Sequence, residues 1–321
     1  MKKMATRILA VLLLICTIST PAFATDYLIP GGQVIGLALQ DDTVTVAAFD
    51  HSMEAGKKGG LQIGDEILSI DGHMIRSAAD VKAALDHSKG QIQMCIRRRK
   101  SDKVLTIAPE ITTQGPKLGV FLKEGITGIG TITWYDPDSG TFASLGHGVH
   151  NRDGKLLKMV SGTAYEAWVR NVQKGEKGDP GQLHGAVTDG KKLGNLNKNT
   201  DRGIFGTCVA IPSCPKLPVA DACDVRAGQA TILSTVNGRE TQEYTIEILK
   251  LYPTDSPSGR NLLIKVTDPN LLEVTGGIVQ GMSGSPIIQD GKLIGAVTHV
   301  LVNQPDTGYG IFIENMLQAA G

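Results

Sequence analysis

Short β-prone runs separated by glycine turns dominate this sequence, which holds 39 glycines in 321 residues. Glycine weakens helices and favours turns, so the pattern predicts a mainly β protein rather than a helical bundle. Hydrophobic residues make up 41% of the chain and charged residues 20%, which excludes a disordered chain. The balance of 32 basic and 32 acidic residues argues against a nucleic-acid binder that works by bulk positive charge.

Residues 1–24 have the composition of a secretory signal peptide. Lys2, Lys3 and Arg7 precede the apolar run 8–18, and Ala22-Phe23-Ala24 offers small residues to a signal peptidase. We expect cleavage after Ala24 and export of the mature chain across the cytoplasmic membrane. Retention of the segment as an uncleaved anchor is the alternative.

Residues 27–110 are predicted to form one unit, built around the run from Gly60 to Gly72 and a following helix capped by Ser77. The pattern Gly-Leu-x-x-Gly-Asp-x-Ile-Leu-Ser-Ile-Asp-Gly in this run resembles the PDZ domains of bacterial exported proteases. PDZ domains bind a peptide by adding it as a strand between an exposed sheet edge and a helix.

The resemblance implies a peptide groove between helix 77–85 and the strand that holds the groove residues Ile35, Gly36, Leu37, Ala38 and Leu39. A terminal carboxylate would bind backbone N–H groups there, and Gly36 would allow close approach. The expected ligand is a peptide terminus or the N-terminal segment of the chain itself. The alternative is that these apolar residues only pack the core.

Residues 117–321 are predicted to form a second domain, and its strongest signal is the run Gly281-Met282-Ser283-Gly284-Ser285-Pro286. Ser283 is the predicted nucleophile, because the flanking glycines let the N–H groups of Gly281 and Ser283 converge as an oxyanion hole. Ser285 is the alternative, but the proline after it suits the start of a strand. The run resembles the nucleophile loop of chymotrypsin-like serine proteases, which implies a double β-barrel.

The general base is predicted to be His147, which ends a predicted hairpin between two glycines. The other histidines lie in less suitable contexts, and they are His51, His73, His87, His150, His184 and His299. Of these, His299 is a candidate for lining the substrate pocket, because it follows the strand behind the nucleophile.

The acid that orients the base is predicted to be Asp268, which stands at the end of a predicted strand before the nucleophile. Asp290 is the first alternative, although it suits a turn better. Three further alternatives lie in less regular stretches, and they are Asp201, Asp221 and Asp224.

Further stretches extend the pattern beyond the nucleophile run. They are Gly128-Ile129-Gly130-Thr131, Tyr135-Asp136-Pro137, Leu145-Gly146-His147, Thr267-Asp268 and Leu271-Leu272. Together with the preceding PDZ-like unit, they resemble the SpoIVB peptidase family of spore-forming bacteria. The resemblance implies a serine endopeptidase with His147, Asp268 and Ser283 as its catalytic triad, and neither a cofactor nor a metal.

The same resemblance implies a role in signalling between compartments during sporulation. The peptidase would be secreted from the forespore into the space between the forespore and mother-cell membranes, and would cleave itself near its N-terminus. Its substrate would be a membrane-bound regulator, whose cleavage releases a metalloprotease that processes pro-sigma-K. The alternatives are a non-catalytic PDZ scaffold and a general exported protease unrelated to sporulation.

Overall fold

The computed structural model describes residues 27–151, 154–253 and 259–321, so the predicted signal peptide lies outside the described residues. The strands, numbered along the chain, are β1 (Tyr27–Pro30), β2 (Val34–Phe49), β3 (Glu66–Ile70), β4 (His73–Met74), β5 (Ile92–Arg98), β6 (Ser101–Ile107), β7 (Glu110–Thr112), β8 (Gly115–Lys117), β9 (Val120–Asp136), β10 (Thr141–Ser144), β11 (Ser161–Gln173), β12 (Gln182–Thr200), β13 (Gly203–Cys208), β14 (Leu217–Pro218), β15 (Gly228–Ser234), β16 (Gln242–Leu251), β17 (Leu262–Val266), β18 (Pro286–Gln289), β19 (Lys292–Leu301) and β20 (Gln304–Phe312). The helices are α1 (Ala55–Lys58), α2 (Ala78–His87), α3 (Pro269–Thr275) and α4 (Ile313–Ala320), with a 3-10 turn at Ala222–Asp224.

The first barrel is a ring of six antiparallel strands that starts and ends at β9. The order is β9, β10, β13, β12, β11 and β2, and β2 pairs again with β9. Its core holds apolar side chains from both halves of the ring, including Ile35, Leu37, Ile132 and Phe142. Closing the ring pairs both edges of every strand, which explains why a glycine-rich sequence can form a stable sheet here.

The second barrel is a closed ring in the order β15, β16, β17, β20, β19 and β18. Burial alternates along β15, β16 and β17, and β16 buries Tyr244, Ile246 and Ile248 while the residues between them are more exposed. Helix α4 packs beside β19 and β20, and α3 leads into the loop that precedes β18. The two barrels meet where this loop reaches β9.

A smaller unit, here called the PDZ unit (residues 41–124), contains the second half of the long strand β2 and the first half of the long strand β9. The second half of β2 pairs with the first half of β9, and β3, β5 and β6 extend the sheet. Helix α2 begins after Ser77, whose hydroxyl accepts the N–H of Asp80, and it buries Val81 and Leu85 against this sheet. The predicted Ser77 cap is therefore present.

The prediction of a mainly β fold with barrels is confirmed, but one segment lies in a different place. Residues 27–39 were expected within the first unit, and instead β1 and the first half of β2 pair with β9 and β11 of the first barrel. The reason is that a closed barrel needs a strand between β9 and β11. Among the described residues, no helix is long and apolar enough to cross a membrane.

Candidate active site

The nucleophile loop between α3 and β18 turns where only glycine fits easily. Gly281 and Gly284 have φ of 102° and 98°, in the region that side chains rarely adopt. A Cβ atom at Gly284 would meet the carbonyl oxygen of Thr131 and lie 2.6 Å from the backbone nitrogen of Leu145. The loop is therefore pressed against β9 and the histidine loop, which brings Ser283 to the boundary between the barrels.

The hydroxyl of Ser283 is half-buried and donates a 2.6 Å hydrogen bond to the carbonyl oxygen of Thr298 on β19. Ser285, the alternative nucleophile, is fully buried, and its hydroxyl lies 3.1 Å from that of Ser234. A buried hydroxyl held by another hydroxyl cannot reach a peptide substrate, so the structure favours Ser283 as the reactive serine.

Two backbone N–H groups beside Ser283 are free to bind an oxyanion. The N–H groups of Met282, Gly284 and Ser285 donate to the carbonyl groups of Val279, Val297 and Met282 in turn. Those of Gly281 and Ser283, in contrast, have no acceptor in the part of the chain that the structure describes. Two unpaired donors next to a serine hydroxyl are what an oxyanion hole requires, and the oxyanion hole itself stays a prediction.

His147 lies near the nucleophile loop, at the end of the turn that follows β10. Its half-buried ring packs on His299, with the ring centroids 4.9 Å apart, and His299 directly follows the residue that accepts the Ser283 hydroxyl. His147 Nδ1 lies 3.0 Å from the carbonyl oxygen of Gly148, which can only accept, so Nδ1 carries the proton in the neutral ring. Nε2 is then the basic nitrogen, which suits a general base.

Burial favours the neutral form of both histidines. Desolvation lowers the pKa of His147 below its usual 6.5, against a smaller raising effect of the Gly148 hydrogen bond. Desolvation, followed by the nearby His147, lowers the pKa of His299 to about 4. The Nδ1 atom of His299 is also buried, and it has no hydrogen-bond partner among the described residues. Sequence reasoning predicted only a pocket-lining role for His299, whose ring contact joins β19 of the second barrel to the histidine loop.

Asp268, the predicted orienting acid, is engaged elsewhere in this structure. Its Oδ1 accepts the N–H groups of Asn270 and Leu271 as the N-cap of α3, and its Oδ2 lies 3.3 Å from the N–H of Thr245. Within the described residues, no hydrogen bond joins His147 to either Asp268 or Ser283. The structure thus links Ser283 and His147 through the neighbouring residues Thr298 and His299, and the complete triad stays a prediction.

The alternative acids differ in their distance from the histidine loop. Asp201 lies in the turn between β12 and β13 and is 3.7 Å from Nε2 of His150, although its side chain is 76% exposed. Asp290 adopts φ of 51° in the predicted turn and pairs with Arg226. Asp224 pairs with Lys292. Of the four alternatives, Asp201 is the one that the structure brings to the histidine loop.

The predicted peptide groove at Ile35–Leu39 is wrong. This segment is the first half of β2, and its residues pair on one side with Gly130–Ile126 of β9 and on the other with Glu166–Gly162 of β11. A strand with both edges paired cannot accept another strand. Ile35, Leu37 and Leu39 are core of the first barrel, so the alternative was right that they pack a core but placed that core in the wrong unit.

The PDZ unit has a different groove, between α2 and the start of β9. A cavity of about 370 Å³ lies there, and its apolar lining includes Val81, Leu85, Leu118, Val120 and Phe121. This half of β9 pairs with β2 on one edge, and the described chain leaves its other edge unpaired beside α2. An extended peptide can therefore add to this edge.

The entrance of this groove can bind a carboxylate. Gly119 has φ of 67°, and the carbonyl groups of Leu118 and Gly119 accept the N–H groups of Gly56 and Asp50. The N–H groups of Leu118 and Gly119 themselves have no acceptor among the described residues, and Lys82 and Lys117 line the same cavity. The sequence interpretation missed this segment because it assigned 111–116 to a linker and 117 onward to the second domain.

Comparisons with known proteins agree with both parts of the chain. A family model described as SpoIVB peptidase S55 matches residues 114–317, and a PDZ domain model matches residues 55–98. No curated protein matches.

Among solved structures, the inactive form of the protease Rv3671c is 16% identical, with 60% of this chain and 84% of that chain covered and a TM-score of 0.35. The active form of Rv3671c, from M. tuberculosis, is 17% identical, with 60% and 72% covered and a TM-score of 0.35. The PDZ domain of the SdrC-like protein Lmo2051 from Listeria monocytogenes is 21% identical, with 25% and 87% covered and a TM-score of 0.23.

Proposed function

Because this chain belongs to the SpoIVB peptidase family, we propose that it is a serine endopeptidase in which Ser283 is the nucleophile and His147 the general base. One observation carries the proposal. At the boundary of the two barrels, a half-buried serine hydroxyl lies beside two unpaired backbone N–H groups and a neutral histidine whose Nε2 is basic.

The proposed reaction starts when the Ser283 hydroxyl leaves the carbonyl oxygen of Thr298 and turns to Nε2 of His147. His147 takes the proton as the serine oxygen attacks a peptide carbonyl, and later gives it to the leaving amine. The N–H groups of Gly281 and Ser283 bind the oxyanion, a contribution of about 3 kcal/mol per donor in comparable enzymes.

Asp268 is our proposed orienting acid, and it has to exchange partners to act as one. In the structure, the carbonyl oxygen of Gly148 accepts the Nδ1–H of His147 and so selects the tautomer that the reaction needs. A carboxylate in this position would also stabilise the imidazolium by charge. To do so, Asp268 has to give up the cap of α3.

Covalent labelling with a fluorophosphonate tests the assignment. We expect the full chain to be labelled, Ser283→Ala to lose all labelling and self-processing, and His147→Ala to react roughly 10²–10⁴-fold more slowly. Ser285→Ala is the matched control and should keep its label. Labelling of Ser283→Ala at the wild-type rate would refute the assignment of Ser283 as the nucleophile. An unlabelled wild type would favour a non-catalytic binding module.

The same assay separates the two roles of Asp268. Asparagine caps a helix as well as aspartate does but carries no charge. Asp268→Asn should therefore keep the thermal stability of the chain and lose labelling rate if the carboxylate orients His147. Asp201→Asn is the parallel variant, and loss of rate there but not in Asp268→Asn would transfer the role to Asp201.

We further propose the biological setting that the family resemblance implies. The chain is exported through its N-terminal segment, cleaves itself near its N-terminus, and cuts a membrane-bound regulator between the forespore and mother-cell membranes, which leads to processing of pro-sigma-K. The PDZ unit binds a peptide terminus, of a partner or of the chain itself, and so controls the peptidase. Expression confined to sporulation would support this setting, whereas constant expression would favour a general exported protease.

A further inference from the structure

Thr131 on β9 forms hydrogen bonds with both the loop that carries Ser283 and the loop that carries His147, and no sequence pattern indicated this. Its side chain is fully buried, with 0% exposure. Its hydroxyl donates a 2.8 Å hydrogen bond to the carbonyl oxygen of Gly281, and its N–H donates a 3.0 Å bond to that of Ser283. Its carbonyl oxygen accepts the N–H of Leu145 at 3.3 Å. One residue of the first barrel therefore touches the nucleophile loop and the histidine loop.

Thr131 donates hydrogen bonds to the carbonyl groups of Gly281 and Ser283, which lie on either side of the peptide group that contains the Ser283 N–H. A peptide group is a rigid plane, so fixing its carbonyl also fixes the N–H on the opposite side. The peptide plane between Gly281 and Met282 is held by two hydrogen bonds. The Thr131 hydroxyl donates to its carbonyl oxygen, and its N–H donates to the carbonyl oxygen of Val279. The peptide plane between Ser283 and Gly284 is held in the same way. The Thr131 N–H donates to its carbonyl oxygen, and its N–H donates to the carbonyl oxygen of Val297.

The N–H of Ser283 belongs to the one plane between these two. Because both neighbouring planes are held, the Ser283 N–H and its side chain have little freedom to rotate. An oxyanion hole works because its donors already point at the place where charge develops, so they need no reorganisation in the reaction. Thr131 supplies two of the four bonds that hold these planes.

We propose that Thr131 is a positioning residue, whose hydroxyl aligns the oxyanion donor and the hydroxyl of Ser283. The proposal rests on the proposed function, since it assumes that Ser283 is the nucleophile. The alignment depends on the Thr131 hydroxyl alone. A side-chain substitution can remove this hydroxyl without disturbing the backbone hydrogen bonds of β9.

The chain offers a matched control two residues further along the same strand. Thr133 is also fully buried, but its hydroxyl has no hydrogen-bond partner within the described chain. Thr131→Val and Thr133→Val replace the same hydroxyl by the same methyl group at equal burial. They differ in whether that hydroxyl contacts the nucleophile loop.

The test measures fluorophosphonate labelling of the full chain at several probe concentrations, so that the maximal rate and the half-saturating concentration are separated. We expect Thr131→Val to lower the maximal rate by about tenfold or more, because the loss is a fraction of what a whole oxyanion donor contributes. The half-saturating concentration should stay the same. Thr131→Ser, which keeps the hydroxyl, should restore the rate, and Thr133→Val should label like the wild type.

Three results would overturn the proposal while leaving the proposed function intact: Thr131→Val labelled at the wild-type rate, equal losses in Thr131→Val and Thr133→Val, or no rescue by Thr131→Ser. An unlabelled wild type would instead refute the proposed function and this proposal with it. If Thr131→Val does not fold by circular dichroism, Thr131→Cys takes its place. It keeps a side chain of similar size with a weaker donor, and a wild-type rate in it would likewise overturn the proposal.

Discussion

His147 and His299 form a pair of buried imidazoles in which neither ring gains from being charged. Desolvation lowers both pKa values, and charge on one ring disfavours charge on the other. Two other basic side chains face the pair: His150 lowers the pKa of both rings, and Arg260 lowers the pKa of His299. A base that stays neutral can accept a proton, so this environment favours catalysis at mildly acidic pH.

The pH dependence of labelling follows from this pair. His147 can accept the proton of Ser283 only when it is neutral, and its pKa lies below 6.5, so the rate should fall on the acidic side with a midpoint below 6.5. The measurement is the fluorophosphonate labelling rate between about pH 4 and about pH 9. His150→Gln removes a side chain that lowers the pKa of His147 and should move the midpoint upward. A wild-type midpoint above 6.5 would contradict the buried neutral base.

At the scale of single elements, β2 and β9 are unusual because each serves two units. Residues 126–131 of β9 pair with the first half of β2 in the barrel, and residues 120–124 pair with its second half in the PDZ unit. Gly125, with φ of 66°, lies at the crossing, where a Cβ would meet the carbonyl oxygen of Leu39. The strand that forms the peptide groove is therefore continuous with the strand that carries Thr131.

The groove at the start of β9 predicts binding of a peptide through its free carboxyl end. Phe121 is 58% exposed in this groove, and Phe121→Asp removes apolar contact and repels a carboxylate. We expect binding of an eight-residue peptide that ends in valine to weaken roughly 10–100-fold, because an apolar side chain contributes about 1.5–3 kcal/mol. Isothermal calorimetry on the Ser283→Ala chain measures this without cleavage.

The matched control for the groove is Val104→Asp, since Val104 is 65% exposed on β6 of the same unit and does not line the cavity. This variant should bind the peptide as the parent does. The peptide with an amidated end should bind weakly. Equal affinity for the acid and the amide would contradict a carboxylate site at Leu118 and Gly119.

At the scale of the whole molecule, the PDZ unit is an insertion within the first barrel rather than a domain before it. Leu39 and Ile126 are opposite each other in the β2–β9 ladder, so the chain leaves and re-enters the barrel at neighbouring points. The barrel needs residues 34–39 because they fill the place between β9 and β11. Without them, both neighbouring strands would have open edges.

This topology predicts opposite results for two shortened chains. A chain of residues 117–321 lacks that strand, and we expect no cooperative thermal unfolding and no labelling. A chain that starts at residue 27 and joins Gln40 to Gly125 through Asn-Gly should fold and be labelled, because a two-residue turn can link this antiparallel pair. Labelling of the 117–321 chain at the full-length rate would show that the barrel does not need the segment.

Local patterns in the sequence were sufficient for the class of fold and for the two residues, Ser283 and His147, that we propose as nucleophile and base. Gly281 and Gly284 indicated a tight turn, and the structure has positive φ at both. The glycines around His147 likewise indicated a turn that presents its ring. Each inference depends on neighbouring residues, since glycine's freedom at φ is a property of its own backbone.

Strand partners, in contrast, were decided by the tertiary structure. Ile35–Leu39 alternates and looks β-prone, but its side-chain period of 2 reveals its faces and not its neighbours, so it was assigned to the wrong sheet. Thr131 and Gly281 are 150 residues apart, and no local pattern joins them. The sequence by itself determined that the chain would form glycine-bounded strands and a tight glycine turn around Ser283. Only barrel closure decided which strands meet, and therefore which hydroxyl holds that loop and which edge remains open for a peptide.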